Sequence, residues 1–247
     1  MSGQTGGRNS QPDTFDADST GHLAIGSLKP ELSWREGTTP VSARFDDPYF
    51  SLENGLAETE HVFLAGNDLP NRFRPGFHIA ELGFGTGLNL LAALRAWRLA
   101  NIAGPLRFTT FEAYPLGAED MIRAQSAFPE VADLIAELRP FLGADKFTLP
   151  DLHFQMITGD ARKQLPEWGG AADAWFLDGF SPAKNPELWG AELMHAVHDH
   201  TVSGGSAATY TAAGHVRRGL SDAGFEVIRA PGFGRKRHMT QARKGAE

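Results

Sequence analysis

Short apolar runs alternate with longer segments of mixed polarity through most of this 247-residue chain. The apolar runs end in glycine or in an acidic residue, which is typical of buried strands, and the segments between them are rich in Leu and Ala, which favour helices. The predicted elements are, in chain order, strand 78–83, helix 88–100, strand 106–113, helices 118–128 and 131–142, strands 152–158 and 174–177, helix 186–200, strand 205–210, helix 216–223, and strands 225–229 and 238–242. This alternation predicts an α/β fold with a mostly parallel, seven-stranded sheet covered on both faces.

The same pattern divides the chain into three parts. Residues 1–28 are polar and rich in glycine without any periodicity, which predicts a disordered tail. Residues 29–75 mix short apolar pieces with turn residues, so we expect a small N-terminal cap or hairpin. Residues 76–247 contain the alternating elements and are predicted to form the core.

The composition excludes several classes of protein. No apolar run approaches the ~18 residues of a membrane span, and no apolar signal segment opens the chain, so we expect a cytoplasmic location without a membrane partner. Cysteine is absent. That absence excludes disulfides, thiolate zinc sites, cysteine nucleophiles and iron–sulfur clusters held by cysteine.

The charge is distributed unevenly. The net charge is −7, yet residues 214–247 carry eight Lys and Arg against three acidic residues, an excess of five positive charges. A basic face on an acidic body is compatible with RNA binding, and a solvated basic tail explains the charge equally well.

The first chemical motif joins strand 78–83 to helix 88–100. It contains Gly83, Gly85 and Gly87 at alternating positions, preceded by Glu81. Glycines let the backbone turn sharply and approach a ligand closely, and the acidic residue could hold a cation such as a methionine ammonium. A simple tight turn is the alternative for this motif taken singly.

Two further acidic residues follow strand ends. Glu112 stands about 25 residues beyond the glycines, where an acid can accept both hydroxyls of a ribose. Asp160 follows strand 152–158 and could accept from an adenine amine, or cap the next helix, or do both.

The most specific motif is the segment 178–186, with the sequence DGFSPAKNP, which follows strand 174–177. Asp178 with Phe180 and the nearby prolines resembles the Asp/Asn-Pro-Pro-Tyr/Phe loop of amine methyltransferases. In such a loop an oxygen acceptor orients the amine and takes its proton, while the aromatic ring stacks on the base that carries the amine. Together the four motifs predict an S-adenosylmethionine site on a Rossmann-like class I methyltransferase fold with a small N-terminal extension.

The missing cysteine narrows the choice of acceptor. Methylating C5 of a pyrimidine normally needs a cysteine that adds to the ring, and radical methylation needs an iron–sulfur cluster. Nitrogen and oxygen acceptors remain, and the loop at Asp178 favours nitrogen.

With these motifs the chain resembles a known family, the bacterial tRNA (5-methylaminomethyl-2-thiouridine) methyltransferases of the MnmC/MnmD type. The resemblance covers roughly residues 30–242. The matching stretches are 37–42, 45–51, 54–59, 83–89, 111–116, 173–189, 216–220 and 232–237.

The resemblance implies methyl transfer to the amine of 5-aminomethyl(2-thio)uridine at the tRNA wobble position. We expect the three glycines, Glu81, Glu112, Asp160 and Asp178 to bind the cofactor. We also expect Asp178 to orient and deprotonate the amine. Phe180 would pack on the uracil. The remaining predicted site residues are Tyr49 and Lys184 as walls of the pocket, with Lys184 near the chemistry, and Arg217, Arg218, Arg235, Lys236 and Arg237 as phosphate contacts.

Bifunctional members of the family carry a flavin-dependent domain that acts before the methyltransferase. No G-x-G-x-x-G fingerprint occurs here, so we expect that this chain binds no FAD and that a separate FAD-dependent oxidoreductase is a partner. We also expect no metal. Two rivals stay open: a methyltransferase acting on a protein or small-molecule amine, and a non-catalytic RNA-binding module on the same fold.

Overall fold

A computed structural model describes residues 1–3, 30–51 and 54–246. The predicted tail, 1–28, lies outside the described residues apart from its first three. In the described part, no helix is long and apolar enough to cross a membrane.

The N-terminal part is a small sheet followed by a helical segment. Strands β1 (Leu32–Arg35), β2 (Thr39–Ser42) and β3 (Asp47–Pro48) pair antiparallel in that order. The chain then forms one continuous helical segment, which is α1 (Gly55–Thr59), a π-helical stretch (Glu60–Leu64) and a 3₁₀ turn (Ala65–Asn67).

The core alternates strands and helices as the sequence predicts. Its elements are β4 (His78–Leu82), α2 (Leu88–Ala100), β5 (Leu106–Glu112), α3 (Ala118–Gln125), α4 (Ala132–Leu138), β6 (Lys146–Leu149), β7 (Leu152–Thr158), α5 (Ala161–Gln164), β8 (Ala172–Leu177), α6 (Ala191–Asp199), β9 (Thr201–Thr209), α7 (Gly214–Asp222), β10 (Glu226–Pro231) and β11 (His238–Arg243). The strand order is β10-β11-β9-β8-β4-β5-β7-β6, with a parallel centre from β9 to β7 and antiparallel strands on both flanks. This arrangement confirms the predicted α/β class.

The main sheet has eight strands rather than seven. The extra strand is β6, which pairs antiparallel with β7 at the edge. Its side chains alternate between exposed and half-buried, so its apolar signal is weak. Pairing with β7, rather than local pattern, makes it a strand.

Helices cover both faces of the sheet because its central strands are apolar on both sides. On β8 every residue is buried, and consecutive side chains point to opposite faces. Phe176 packs in the cluster beneath α2 and the helical segment, and Trp175 packs in the cluster beneath α6 and α7.

Two predicted helices are interrupted. The predicted helix 131–142 is α4 with a 3₁₀ turn on each side, and each turn has a proline near its start. The predicted helix 186–200 begins as a 3₁₀ turn (Pro186–Trp189) and restarts as α6 after Gly190, whose extended backbone ends the first turn.

Candidate active site

A cavity of about 420 Å³ opens at the carboxyl ends of the central strands. This is the edge at which parallel α/β sheets bind ligands. Strand β3 with the residues that follow it, α1, and the loop between β10 and β11 close the cavity on its other sides. Among the predicted site residues, those that line it are Tyr49, Gly83, Gly85, Glu112, Asp178, Phe180, Arg235 and Lys236.

Two positions of the glycine loop that line the cavity have a positive φ and leave little space for a Cβ. Gly83 has a φ of +86°, and a Cβ there would meet the carbonyl oxygen of Asp178 at 2.7 Å. Gly85 has a φ of +53°, and a Cβ there would meet the ring of Tyr49 at 3.1 Å. Gly87 is the N-cap of α2 and does not line the cavity. At Gly83 and Gly85 the loop therefore brings its backbone to the cavity wall.

Glu112 lies at the end of β5 and fixes the glycine loop. Its two carboxylate oxygens accept from the backbone N–H of Gly85 at 3.1 Å and of Tyr114 at 2.8 Å. A carboxylate has about four lone-pair positions, so two remain for a ligand.

Asp160 is the N-cap of α5 and lies outside the cavity lining. Its carboxylate accepts from the N–H of Arg162 at 3.0 Å and pairs with the Arg162 guanidinium at 2.6 Å. Hydrogen bonding to Arg162 lowers the pKa of Asp160. The capping role is therefore present, and the adenine contact stays a prediction.

An amide that the sequence analysis missed connects two of the predicted acids. Asn89, in the first turn of α2, donates from Nδ2 to Glu81 Oε1 and to Asp178 Oδ2, both at 2.8 Å. The hydroxyl of Thr59 donates to Asn89 Oδ1 at 2.9 Å. Asn89 stands two positions after Gly87, the last glycine of the motif. Nothing in that spacing indicates which acids its side chain contacts.

Both acids have raised pKa values because they are removed from water. Glu81 is fully buried behind the cavity, and burial raises its pKa to about 8 against the hydrogen bond from Asn89. Burial raises the pKa of Asp178 to about 7, against hydrogen bonds from Asn89 and the N–H of Gly179, which lower it. Asp178 thus lines the cavity, whereas Glu81 lies behind it and contacts the same amide of Asn89.

The loop that follows Asp178 is held by the small N-terminal sheet. The ring of Phe180 stacks on Phe45 with centroids 4.7 Å apart and meets Tyr49 edge-on at 5.0 Å. The N–H of Ser181 donates to Asp47 Oδ2 at 2.8 Å. Two neighbours of Phe180, Phe45 and Tyr49, are thus already aromatic rings, and stacking on a uracil stays a prediction.

Lys184 does not line the cavity. Its ammonium donates to the carbonyl oxygen of Asp46 and pairs with the carboxylates of Asp46 at 3.3 Å and Asp47 at 3.6 Å. Through these contacts Lys184 holds the loop after Asp178 against the segment at Asp46 and Asp47. Its predicted role near the chemistry stays a prediction.

Lys236 turns toward the cavity. Its ammonium pairs with Glu58 Oε1 at 2.8 Å and lies 4.0 Å from the centre of the Tyr210 ring. The hydroxyl of Tyr210 donates to the carbonyl oxygen of Gly179 at 2.7 Å. Lys236 therefore links α1, the β10–β11 loop and the segment after β8, and its predicted phosphate contact stays untested.

The other predicted phosphate contacts lie around the same edge. Arg217 and Arg218 are on α7, where Arg217 is half-buried and donates to the carbonyl oxygen of Ala212, and Arg218 is exposed. Arg235 and Arg237 are exposed on the β10–β11 loop. In the described part of the chain, no group of three or more His, Asp or Glu is placed to hold a metal ion.

The chain is similar to known methyltransferases. Residues 131–245 match the model of a family described as S-adenosyl-L-methionine-dependent methyltransferase. Over 85% of its length the chain is 44% identical to the tRNA 5-methylaminomethyl-2-thiouridine biosynthesis bifunctional protein MnmC of Hahella chejuensis. It is 46% identical, again over 85% of its length, to the protein of the same name from Caulobacter sp. strain K31. The chain spans 36% and 38% of the lengths of these two relatives.

A solved structure has the same fold. The crystal structure of MnmC2 from Aquifex aeolicus matches 85% of this chain and 68% of its own chain, with a TM-score of 0.68 and 26% sequence identity. The predicted class I fold and the resemblance are confirmed. Over 85% of its length the chain is thus similar to the proteins named MnmC, and residues 131–245 match the model of S-adenosyl-L-methionine-dependent methyltransferases.

Proposed function

We propose that this protein transfers a methyl group from S-adenosylmethionine to the primary amine of 5-aminomethyl(2-thio)uridine at the wobble position of tRNA. The observation that carries the proposal is the position of Asp178, whose carboxylate lies in the same cavity as the glycine loop and Glu112. The names of the relatives supply the substrate, since they refer to the biosynthesis of 5-methylaminomethyl-2-thiouridine in tRNA.

The residues of the cavity fit S-adenosylmethionine. The volume of about 420 Å³ lies within the ~300–1,000 Å³ of small-molecule sites. Glu112 has lone pairs left for ribose hydroxyls, and the glycines at 83 and 85 let the loop backbone lie against Asp178 and Tyr49 at the cavity wall. The N-terminus of α2 begins beside the loop and favours a negative group such as the methionine carboxylate. When bound, this cofactor supplies a methyl group on a positively charged sulfur.

The protein's own part in the reaction is to accept a proton. An aliphatic ammonium has a pKa near ~10, so the substrate amine arrives protonated and must lose a proton before its lone pair can attack. Asp178 is the acceptor: its carboxylate faces the cavity, and a pKa of about 7 makes it a better base than an exposed aspartate. Once Asp178 has taken one of its protons, the amine nitrogen has a free lone pair, which could accept the methyl group that the bound cofactor would supply.

The RNA would bind around the mouth of the cavity. Arg217 and Arg218 on α7 and Arg235 and Arg237 on the β10–β11 loop supply positive charge at this edge. Contacts of this kind fix the position of the RNA backbone and depend on salt.

We further propose that this chain performs the methylation step and that a flavin-dependent oxidoreductase supplies the free amine. The relatives are named bifunctional, and the chain matches little more than a third of their length.

The test uses the purified protein, S-adenosylmethionine and tRNA from cells that lack this activity, followed by mass spectrometry of the nucleosides. We expect methylaminomethyluridine from tRNA that carries the aminomethyl group, and none from the carboxymethylaminomethyl form unless an oxidoreductase is added. Methylation of peptides or small amines without methylation of tRNA would contradict the proposed substrate.

A further inference from the structure

The amide of Asn89 has every polar hydrogen and its oxygen engaged. Nδ2 donates to two carboxylates, those of Glu81 and Asp178, and Oδ1 accepts from the hydroxyl of Thr59. A flipped amide would turn its oxygen toward the carboxyl oxygens of both Glu81 and Asp178, and the ionised carboxylate of Asp178 has no hydrogen to donate to it. The contacts therefore determine the orientation of this side chain.

Asp178 depends on this amide because its remaining stabilisation comes from one backbone N–H, that of Gly179, and from the charge of Lys236 at a distance. The carboxylate of Asp178 accepts hydrogen bonds from the amide of Asn89 and from the N–H of Gly179. Glu58 and Asp47 are acidic groups around it, contributed by α1 and β3, and Glu81 on β4 shares the amide of Asn89 with it.

Two other polar groups near Asp178 bind other partners. The ammonium of Lys236 is paired with Glu58, and the hydroxyl of Tyr210 donates to the carbonyl oxygen of Gly179. Asn89 therefore donates directly to the Asp178 carboxylate, whereas Lys236 and Tyr210 donate to other groups.

Thr59 ties this arrangement to an element outside the α/β core. It is the last residue of α1 and is buried, and the π-helical stretch begins directly after it. Single π-helical turns within helices are frequent at functional sites. The hydroxyl of Thr59 reaches Asn89, 30 positions further along the chain, at 2.9 Å.

We propose that Asn89, held in place by Thr59, is a positioning residue that aims the Asp178 carboxylate into the cavity and keeps it available as the proton acceptor. This inference rests on the proposed function, in which Asp178 accepts the proton of the substrate amine. Asn89 itself acts through Asp178.

Loss of the amide has a signature that depends on pH. A hydrogen bond donated to a carboxylate favours the ionised form, so removing it raises the pKa of Asp178. We expect a rise of about one to two pH units, the size expected for a hydrogen bond to a charged group. Asn89→Leu should therefore transfer methyl groups most poorly near neutral pH and recover toward pH 9, where Asp178 is ionised again.

Turnover is measured as single-turnover methyl transfer to tRNA at saturating S-adenosylmethionine, from pH 6 to pH 9.5. Thr59→Val removes the hydroxyl that holds Asn89 and should move the acid limb of the profile upward by less than Asn89→Leu, whereas Thr59→Ser should keep the wild-type profile. Thr201→Val is the matched control, because the buried hydroxyl of Thr201 donates to the carbonyl oxygen of Val197 at the opposite edge of the sheet. It should lower the melting temperature without moving the profile.

A second measurement does not require the substrate. The carboxyl carbon of Asp178 is followed by ¹³C NMR in the protein without tRNA, and its signal is assigned with Asp178→Asn. The inflection should lie near pH 7 in the wild type and above pH 8 in Asn89→Leu. Absence of methyl transfer by the wild type would contradict the proposed function, while this titration still decides the role of Asn89.

Parallel pH profiles, with the same loss at every pH and an unmoved carboxyl inflection, would overturn the inference. The pair Thr59→Val and Thr59→Ser decides it even if Asn89→Leu does not fold, because valine and serine at this position differ in the presence of the hydroxyl.

Discussion

Asp178→Asn should remove most of the turnover and also destabilise the fold, because each oxygen of this carboxylate already has a donor. Oδ1 accepts from the N–H of Gly179 at 2.9 Å, and Oδ2 accepts from Asn89 Nδ2 at 2.8 Å. The new amide nitrogen must face one of these two donors. A buried donor left without an acceptor costs about 1–3 kcal/mol, so the variant should lose that much free energy of unfolding near pH 5–6, where the wild-type carboxyl is protonated. Above pH 7 the difference should shrink, because the raised pKa of Asp178 means that its ionised form destabilises the wild-type fold.

The loss of activity has a separate cause. The amide cannot take the proton of the substrate ammonium, and a positioned base contributes typically ~10²–10⁴-fold to the rate. Asp178→Ala should lose turnover to the same extent. Both variants should bind S-adenosylmethionine within about tenfold of the wild type, because the cofactor contacts assigned to Glu112 and the glycine loop remain.

The assay is single-turnover methyl transfer at saturating cofactor, with calorimetry for cofactor affinity and urea denaturation for stability. The wild-type rate should fall as the pH drops through about 7, where Asp178 becomes protonated in the folded protein. A near-normal rate in either variant would refute the proton-accepting role. A loss of cofactor affinity equal to the loss of turnover would instead assign Asp178 to cofactor binding.

Three further predictions concern the cofactor and the RNA. Gly85→Val should abolish binding of S-adenosylmethionine while unfolding stays cooperative, because a Cβ at a φ of +53° meets the Tyr49 ring at 3.1 Å; unchanged affinity by calorimetry would reduce the glycine loop to a turn. Glu112→Ala should weaken cofactor binding by roughly 1.5–3 kcal/mol, measured in the same way, and an unaltered Kd would exclude the ribose contact. Arg235→Ala with Arg237→Ala should flatten the plot of log K for tRNA against log salt by about 1.4–1.8, at roughly 0.7–0.9 for each phosphate contact, and a wild-type slope would assign the loop to a solvated surface. Adding Lys236→Ala should change the slope little, because that ammonium is paired with Glu58.

Several elements are predictable from the sequence because their signals are local. The helix α2 begins and ends as predicted, at Leu88 and Ala100, since a glycine loop precedes it and Asn101, in the left-handed region with a φ of +52°, ends it. Strand β7 is likewise predicted at its observed bounds, Leu152–Thr158. By contrast, β6 depends on pairing with β7, and pairing is not encoded in the local pattern of a short, half-exposed strand.

The candidate site divides in the same way. The order of glycines and acids at strand ends predicts that Gly83, Gly85, Glu112 and Asp178 meet, because parallel strands bring their carboxyl ends to one edge. The pattern does not show that Asp160 lies outside the cavity lining, since a capping residue and a ligand-binding residue have the same sequence signature.

The sequence by itself determined the class of the fold, the edge that carries the chemistry and the residue types available there. Only the tertiary structure decided which side chains touch. Asn89 reaches Asp178 across 89 positions, and Lys236 reaches Glu58 across 178 positions. Contacts between such distant residues depend on how the small sheet, α1 and the β10–β11 loop pack on the core. Local propensity and periodicity act over a few residues, so they predict the elements and leave these partners undetermined.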